Sequence, residues 1–394
     1  MQADVPEDKL REDILDILSY CINCRFCLPS CPRFEITAGN ISEGASGITR
    51  SLYYAVKWGE TDKQVLNELR DILFSCTTCK NCEIACKNLS TGTKLTDAIE
   101  KGRQLLVEKM IGPMPQQRKA LESLYIHGNP YEMPTSKRKA WLKSLDLPAV
   151  SAETEVLFYL GCTAPNDFNA QNMAMAFAQL LKQAQVRCGI WEDEMCCGSP
   201  SLNMGEKGLF EEIYTKNIQR FKALGIRHIV TLSPHCFDTF LNRYPQEAMQ
   251  KIKVQHYSQF LSDLIEQKRL VFKNRVEKKV TYQDPCYLGR YNNVYDEPRR
   301  VLNRIPGLEL VECSRNKADS LCCGGGGGRM WADFDAETNR LANIRATEGL
   351  ATGAEMMVTA CPWCYIHMED GVKLIDAETS MKITGLAELC VEAL

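Results

Sequence analysis

The feature that constrains this chain most is a spaced cysteine run that occurs twice. Cys21, Cys24, Cys27 and Cys31 follow the pattern Cys-x2-Cys-x2-Cys-x3-Cys, with Pro32 behind them. Cys76, Cys79, Cys82 and Cys86 repeat it, with Lys87 in the proline's place. In all, 20 of 394 residues are cysteine, which calls for either disulfides or metal. Disulfide frameworks belong to short secreted chains too small to build a core, whereas this chain is long enough for two or three domains. The segment Met1 to Asp8 has no basic stretch followed by an apolar one, so no secretory signal is expected. No apolar run approaches the roughly 18 residues of a membrane span. The expectation is a cytoplasmic protein, soluble or attached to a membrane only through a partner, whose thiolates hold metal. A net charge of −3 gives no reason to expect nucleic acid as a partner.

The spacing of each run has a physical cause. One tight turn presents three thiolates to three irons of a cube, and in paired runs the fourth cysteine typically serves the other cube. Cys21, Cys24, Cys27 and Cys86 are therefore assigned to one [4Fe–4S] cubane, and Cys76, Cys79, Cys82 and Cys31 to the other. Structural zinc needs only four ligands per ion and usually shows two separated pairs, which describes these runs poorly.

Around the runs, residues 8–112 are helical in period. Leu10, Ile14, Ile17 and Leu18 share one face, as do Leu66, Leu69, Ile72 and Leu73. Residues 113–152 read as a proline-rich linker whose basic stretch Lys137-Arg138-Lys139 is either a solvated face or a docking surface for an acidic partner. From residue 153 short apolar strands alternate with helices, at Glu155–Leu160, Val186–Trp191, Arg227–Leu232, Val280–Gln283, Leu308–Glu312 and Glu355–Thr359, which predicts α/β units with parallel sheet.

This second part repeats itself after about 125 residues. Leu160-Gly161-Cys162 corresponds to Asp284-Pro285-Cys286, Met195-Cys196-Cys197-Gly198 to Leu321-Cys322-Cys323-Gly324, and Ser233-Pro234-His235-Cys236 to Cys361-Pro362-Trp363-Cys364. The predicted units are a first copy over 153–276 and a second over 277–394. In each, the cysteines follow predicted strands, where open parallel sheets bind ligands. Copy two has five, Cys286, Cys322, Cys323, Cys361 and Cys364. Copy one has four, Cys162, Cys196, Cys197 and Cys236, with Ser233 in the fifth place.

The helical character of the first part, with 44 residues between Cys31 and Cys76, resembles the helical ferredoxin modules of fumarate-reductase-type iron–sulfur subunits and of the heterodisulfide reductase C subunit. The repeat resembles the cysteine-rich CCG domain family, which includes the B and D subunits of heterodisulfide reductase and iron–sulfur subunits of glycolate, lactate and glycerol-3-phosphate oxidation systems. The order of modules is that of the D subunit, a fused C and B. The resemblance implies an all-α two-cluster module followed by two tandem α/β CCG domains. It also implies a non-cubane [4Fe–4S] cluster on the five cysteines of copy two, where one iron is left to take an external sulfur. For copy one a relay cubane, an altered non-cubane cluster and an empty site all stay open.

Gly324, Gly325 and Gly326, part of the run Gly324–Gly328, are expected to let backbone approach that cluster and aim N–H groups at it. Family members of the B type often carry histidine after the cysteine matching Cys286, where this chain has Tyr287. Tyr287, His235 and His367 are candidate proton donors or simply structural. Trp331 and Trp363 either shield the cluster sites from water or pack the core, while Cys188, Cys313 and Cys390 are expected in cores.

Two functions follow from the resemblance. The first is a reductase subunit in which electrons cross two cubanes to copy two, where a disulfide of the CoM-S-S-CoB type or a related one is reduced to two thiols. The second is a relay serving a flavoprotein dehydrogenase and passing electrons to a quinone or phenazine pool through a membrane partner such as a b-type cytochrome. No Gly-x-Gly-x-x-Gly fingerprint follows a strand, so a flavoprotein or other donor subunit would be a partner under either reading.

Overall fold

The computed structural model describes residues 7–86, 94–334 and 340–394; Lys87 lies outside them. Helices Glu7–Ser19, Ala45–Trp58, Lys63–Ser75 and Leu95–Glu108 build the first part, with shorter helices between them. Apolar residues three and four apart give each helix one buried stripe: Leu10, Ile14 and Leu18; Ile48, Leu52 and Val56; Leu66, Leu69 and Leu73. Ile17 and Ile72 lie at the edge of the same core. The Asp62 carboxylate starts one helix by accepting from the amides of Gln64 and Val65. That helix ends at Cys76 and the first ends two residues before Cys21, so both cysteine runs leave helix ends anchored in one core.

The linker is itself folded. Pro115–His127 and Thr135–Leu142 are helices, and the basic stretch is not uniformly solvated. Arg138 is buried and pairs with Glu194 at 3.1 Å, while Lys139 stays at the surface beside Asp193. Helical period turns one of the three basic positions inward, where a buried carboxylate matches its charge.

The remainder holds two four-stranded parallel sheets of identical order. Strands β1 (Val156–Tyr159), β2 (Cys188–Ile190), β3 (His228–Thr231) and β4 (Lys253–His256) are arranged β2-β1-β3-β4. Strands β5 (Lys279–Gln283), β6 (Glu309–Leu310), β7 (Met356–Thr359) and β8 (Lys382–Gly385) are arranged β6-β5-β7-β8. The six strands expected from sequence are present, five of them shortened and β5 one residue longer, and β4 and β8 are additional. One core runs through both sheets and includes Phe158, Phe177, Tyr257, Tyr282 and Leu386. Cys188 and Cys390 pack in it, and Cys313 lies in a smaller neighbouring core.

Candidate metal centre

In both sheets the order of strands reverses beside the first strand of the copy, which is where open α/β sheets form a crevice at their carboxyl ends. Cys162 follows β1, Cys196 and Cys197 follow β2, and Cys236 follows β3; Cys286, Cys322 with Cys323, and Cys361 with Cys364 follow β5, β6 and β7. All twenty cysteines are free thiols.

In copy one the Cys196 thiol lies 3.6 Å from that of Cys162, and Cys197 accepts from Cys196 and Cys236. Burial pushes Cys197 up, but these donors outweigh it and hold the thiol well below its ordinary range. Ser233 stands where copy two has Cys361, and each residue caps a helix that begins with proline. The Ser233 hydroxyl accepts from the His235 amide at 3.3 Å. Around the four thiols Asn217 donates to the Cys196 carbonyl and the Tyr244 hydroxyl to that of Cys197, each at 3.0 Å.

In copy two the contacts form a chain. Cys286 meets Cys322, Cys322 is followed by Cys323, and Cys323 meets Cys364, which meets Cys361. Burial opposes ionisation of Cys323, yet donation from Cys322 and Cys364 holds it well below the usual thiol range. The Gly324 amide lies 3.4 Å from the Cys322 sulfur. Beyond it the glycine run does something the sequence did not suggest. A Cβ on Gly326 would collide with the Thr77 carbonyl oxygen, and one on Gly327 with that of Cys76. The run is thus a backbone-to-backbone contact with the second cysteine run of the helical module.

That module's two loops have matching backbones. Asn23 and Arg25 on either side of Cys24, and Thr78 and Lys80 on either side of Cys79, all take positive φ. For β-branched Thr78 this is a true outlier of the kind that clusters at functional sites. Its amide lies 3.4 Å from the Cys76 sulfur, the same relation as Gly324 to Cys322. Burial, then the neighbouring Cys21, Cys31 and Cys86, pushes the Cys27 thiol up to about 12. Cys82 is raised by burial and by Glu83, Cys31, Cys79 and Cys76. The Cys79 thiol meets Cys322 directly, so the second run of the helical module and the five-cysteine set of copy two share a wall.

These sets fit iron–sulfur clusters by their donor chemistry. Each set gathers four or five soft thiols, and those of the two copies are buried, where ionisation is costly unless a cationic core compensates. Among the described residues no three His, Cys, Asp or Glu groups close round one point as ligands of a single ion do; the thiols instead run in chains of contacts.

His235 and Tyr287 meet on a seam between the two copies, while His367 lies within copy two beside Gly325 and Met330. The His235 ring packs 4.0 Å from both Tyr287 and Trp363. Burial lowers His235 and His367 to about 4, so both imidazoles are neutral at pH 7, and burial raises the Tyr287 phenol above its ordinary value. The Tyr287 hydroxyl is held by Thr78 Oγ1 at 2.9 Å and Asn203 Oδ1 at 3.0 Å. Trp363 donates to Thr163 Oγ1 at 2.9 Å and meets Trp331 edge to face.

Two family models match. The cysteine-rich domain fits residues 156–240 and 280–369, and the 4Fe-4S dicluster domain fits residues 17–89. The chain is 30 % identical over 398 residues to the D subunit of the dihydromethanophenazine:CoB–CoM heterodisulfide reductase of Methanosarcina mazei, covering 96 % of this chain and 94 % of that one. The chain belongs to the family of the heterodisulfide reductase D subunit, a family of iron–sulfur oxidoreductases.

Members of this family also occur as parts of longer proteins. The chain is 33 % identical to the probable iron–sulfur-binding oxidoreductase FadF of Bacillus subtilis over 82 % of its own length and 46 % of the relative. It is 28 % identical to the EtfAB:quinone oxidoreductase of Syntrophomonas wolfei over 98 % of its length and 60 % of the relative. It therefore spans about half the length of these two curated relatives. A crystal structure of a hypothetical protein from Helicobacter pylori shares the fold, with a TM-score of 0.61 at 9 % identity over 100 % of this chain and 73 % of that one. Among the described residues no helix is long and apolar enough to cross a membrane.

Two buried arginines of the site carried no sequence signal. Arg103 donates to the carbonyls of Leu73 and Cys76 in the helical module, Asn203 in copy one and Gly327 in copy two. Arg290 donates to the carbonyls of Cys79, Ala318 and Ser320. An arginine in a helical pattern looks like any solvated charge until the fold closes over it.

Proposed function

We propose that this chain carries electrons through two [4Fe–4S] clusters of the helical module to a non-cubane [4Fe–4S] cluster on Cys286, Cys322, Cys323, Cys361 and Cys364, where a disulfide is reduced. The balance is R–S–S–R′ + 2 e⁻ + 2 H⁺ → RSH + R′SH. The observation that carries this reading is the contact of Cys79 with Cys322, which makes the end of the two-cluster module the wall of the five-cysteine set. Cys31 faces Cys76, Cys79 and Cys82, as crossed sharing asks, and Cys86 faces Cys27, which Cys31 borders as well. Bound clusters would supply one-electron steps. The protein's own part is to bury the thiols, hold the two modules in register and leave an approach from solvent. A cleft beside Cys323 and Gly324, walled by Arg329, Arg340, His367 and Asp333, offers that approach.

Cys322→Ser and Cys361→Ser test the assignment. Disulfide turnover is expected to fall at least tenfold while the reduced-cubane EPR signals of the helical module persist. Unchanged turnover would remove copy two as the site. A new paramagnetic species on adding thiol to oxidised protein is the matching spectroscopic expectation.

A second reading is favoured by Ser233 and by the similarity to a protein named EtfAB:quinone oxidoreductase. Here the chain relays electrons from a flavoprotein towards a quinone pool through a membrane partner. Thiol addition would then leave the EPR spectrum unperturbed.

A further inference from the structure

Arg290 sits on the short helix Gly289–Asn292, four residues after Cys286, and is buried. Its Nε donates to the Cys79 carbonyl at 2.6 Å, and its Nη1 donates to the carbonyls of Ala318 and Ser320 at 3.0 and 2.7 Å. The remaining nitrogen, Nη2, is buried and has no hydrogen-bond partner among the described residues. No carboxylate within ion-pair distance answers the charge among those residues. Arg299, which follows in the same copy, shows the contrast, since it forks onto Asp284 and Glu312. The thiols of Cys79, Cys286 and Cys322 lie beside the guanidinium, and these three cysteines pack together in one small core.

A buried unpaired cation is costly unless something negative stands near it. The groups that converge on this one are thiols of two different predicted clusters: Cys79 from the helical module, and Cys286 with Cys322 from copy two. We infer that Arg290 is a tuning residue for electron transfer, a fixed cation shared by the second cubane and the copy-two cluster that raises the reduction potential of both. Each added electron deepens the negative charge of a cluster, and a guanidinium in a low-dielectric wall favours that reduced form. The first cubane, on Cys21, Cys24, Cys27 and Cys86, is not among the groups Arg290 faces, so its potential is set elsewhere. The inference rests on the proposed cluster sites, which iron and sulfide counts on the native protein test separately. It does not require that the substrate be a disulfide.

The experiment is an EPR-monitored redox titration of the native protein, Arg290→Lys and Arg290→Gln, each with iron and sulfide counted on the same sample. In Arg290→Gln the reduced-to-oxidised ratio of the two junction signals is expected to fall at least tenfold at a fixed potential, about 59 mV for a one-electron couple. The third signal should stay in place. Arg290→Lys keeps the charge and is expected near the native midpoints, a rescue that a purely structural role would not predict, because lysine lacks the fork that holds three carbonyls. Should Arg290→Gln lose the junction iron while Arg290→Lys keeps it at native midpoints, the charge is still the determinant. Equal midpoints in all three proteins, equal shifts in the two variants, a shift of all three signals alike, or loss of junction iron from both variants would overturn it.

Discussion

At the scale of single residues, the chain depends on a few buried charges whose partners come from distant segments. Arg103 is fully buried and donates to four carbonyls drawn from three parts of the chain, with no carboxylate pairing it among the described residues. Removing it leaves several acceptors unsatisfied in a dry interface. Arg103→Met should therefore cost about 3 kcal/mol or more, read as a lower urea midpoint for loss of cluster absorbance. Arg103→Lys should recover little of this, because one ammonium cannot reach all four oxygens. Glu388 makes a different prediction. Burial raises its carboxyl to about 7 from 4.5, against the hydrogen bond it accepts from the Gly385 amide. The folded state then binds the proton more tightly than the unfolded one. Stability should fall as pH rises from about 4.5 to about 7 and level off above that, by at most about 3 kcal/mol from this group. Glu388→Gln keeps an acceptor for Gly385 and should flatten the slope. An unchanged profile between pH 5 and 8 would refute the assignment.

At the scale of elements, what the sequence made legible was whatever a local pattern encodes. The helical stripe through Leu10, Ile14 and Leu18, the six apolar strands and the offset between the copies each depend on residues close in sequence, and all are present. Strands β4 and β8 went unseen because Lys-Val-Gln-His and Lys-Ile-Thr-Gly carry only one strongly apolar residue each. Their place in the sheet comes from pairing with β3 and β7. The linker helices were hidden by prolines that in fact sit at helix starts, as Pro115 does, where the missing N–H is no loss. Of the site, the cysteine positions were legible and their neighbours were not. Nothing local says that Cys79 meets Cys322 or that Ser233 holds the same place before its helix as Cys361. The glycine run shows the limit best: its composition suggested closeness to a cluster, but no local pattern says that Gly326 and Gly327 also lie against the Cys76–Thr77 backbone.

At the scale of the whole molecule, the helical module and copy two are joined so that the second cysteine run and the five-cysteine set adjoin rather than merely coexist. Of the seventeen cysteines in the predicted sets, Cys24 is the exposed one, and the five of copy two are all buried. This arrangement supports electron exchange with a partner at the first loop and chemistry at the far end. Between them lies the backbone contact of the glycine run with Cys76 and Thr77, beside the Cys79–Cys322 wall. Gly326→Ala tests that contact without touching a thiol. The obstacle to alanine is the Thr77 carbonyl oxygen in its path rather than its backbone conformation, since Gly326 is not among the residues with positive φ. Forcing the added methyl in should cost about 1–3 kcal/mol and part the two loops. If the junction is the route, reduction of the copy-two cluster by a donor acting on the helical module slows in Gly326→Ala, while a donor that reaches copy two directly works as before. The control is Gly208→Ala, whose added methyl meets open space and should leave both rates alone. Native transfer rates in Gly326→Ala, with the stability loss present, would mean that electrons reach copy two by another path.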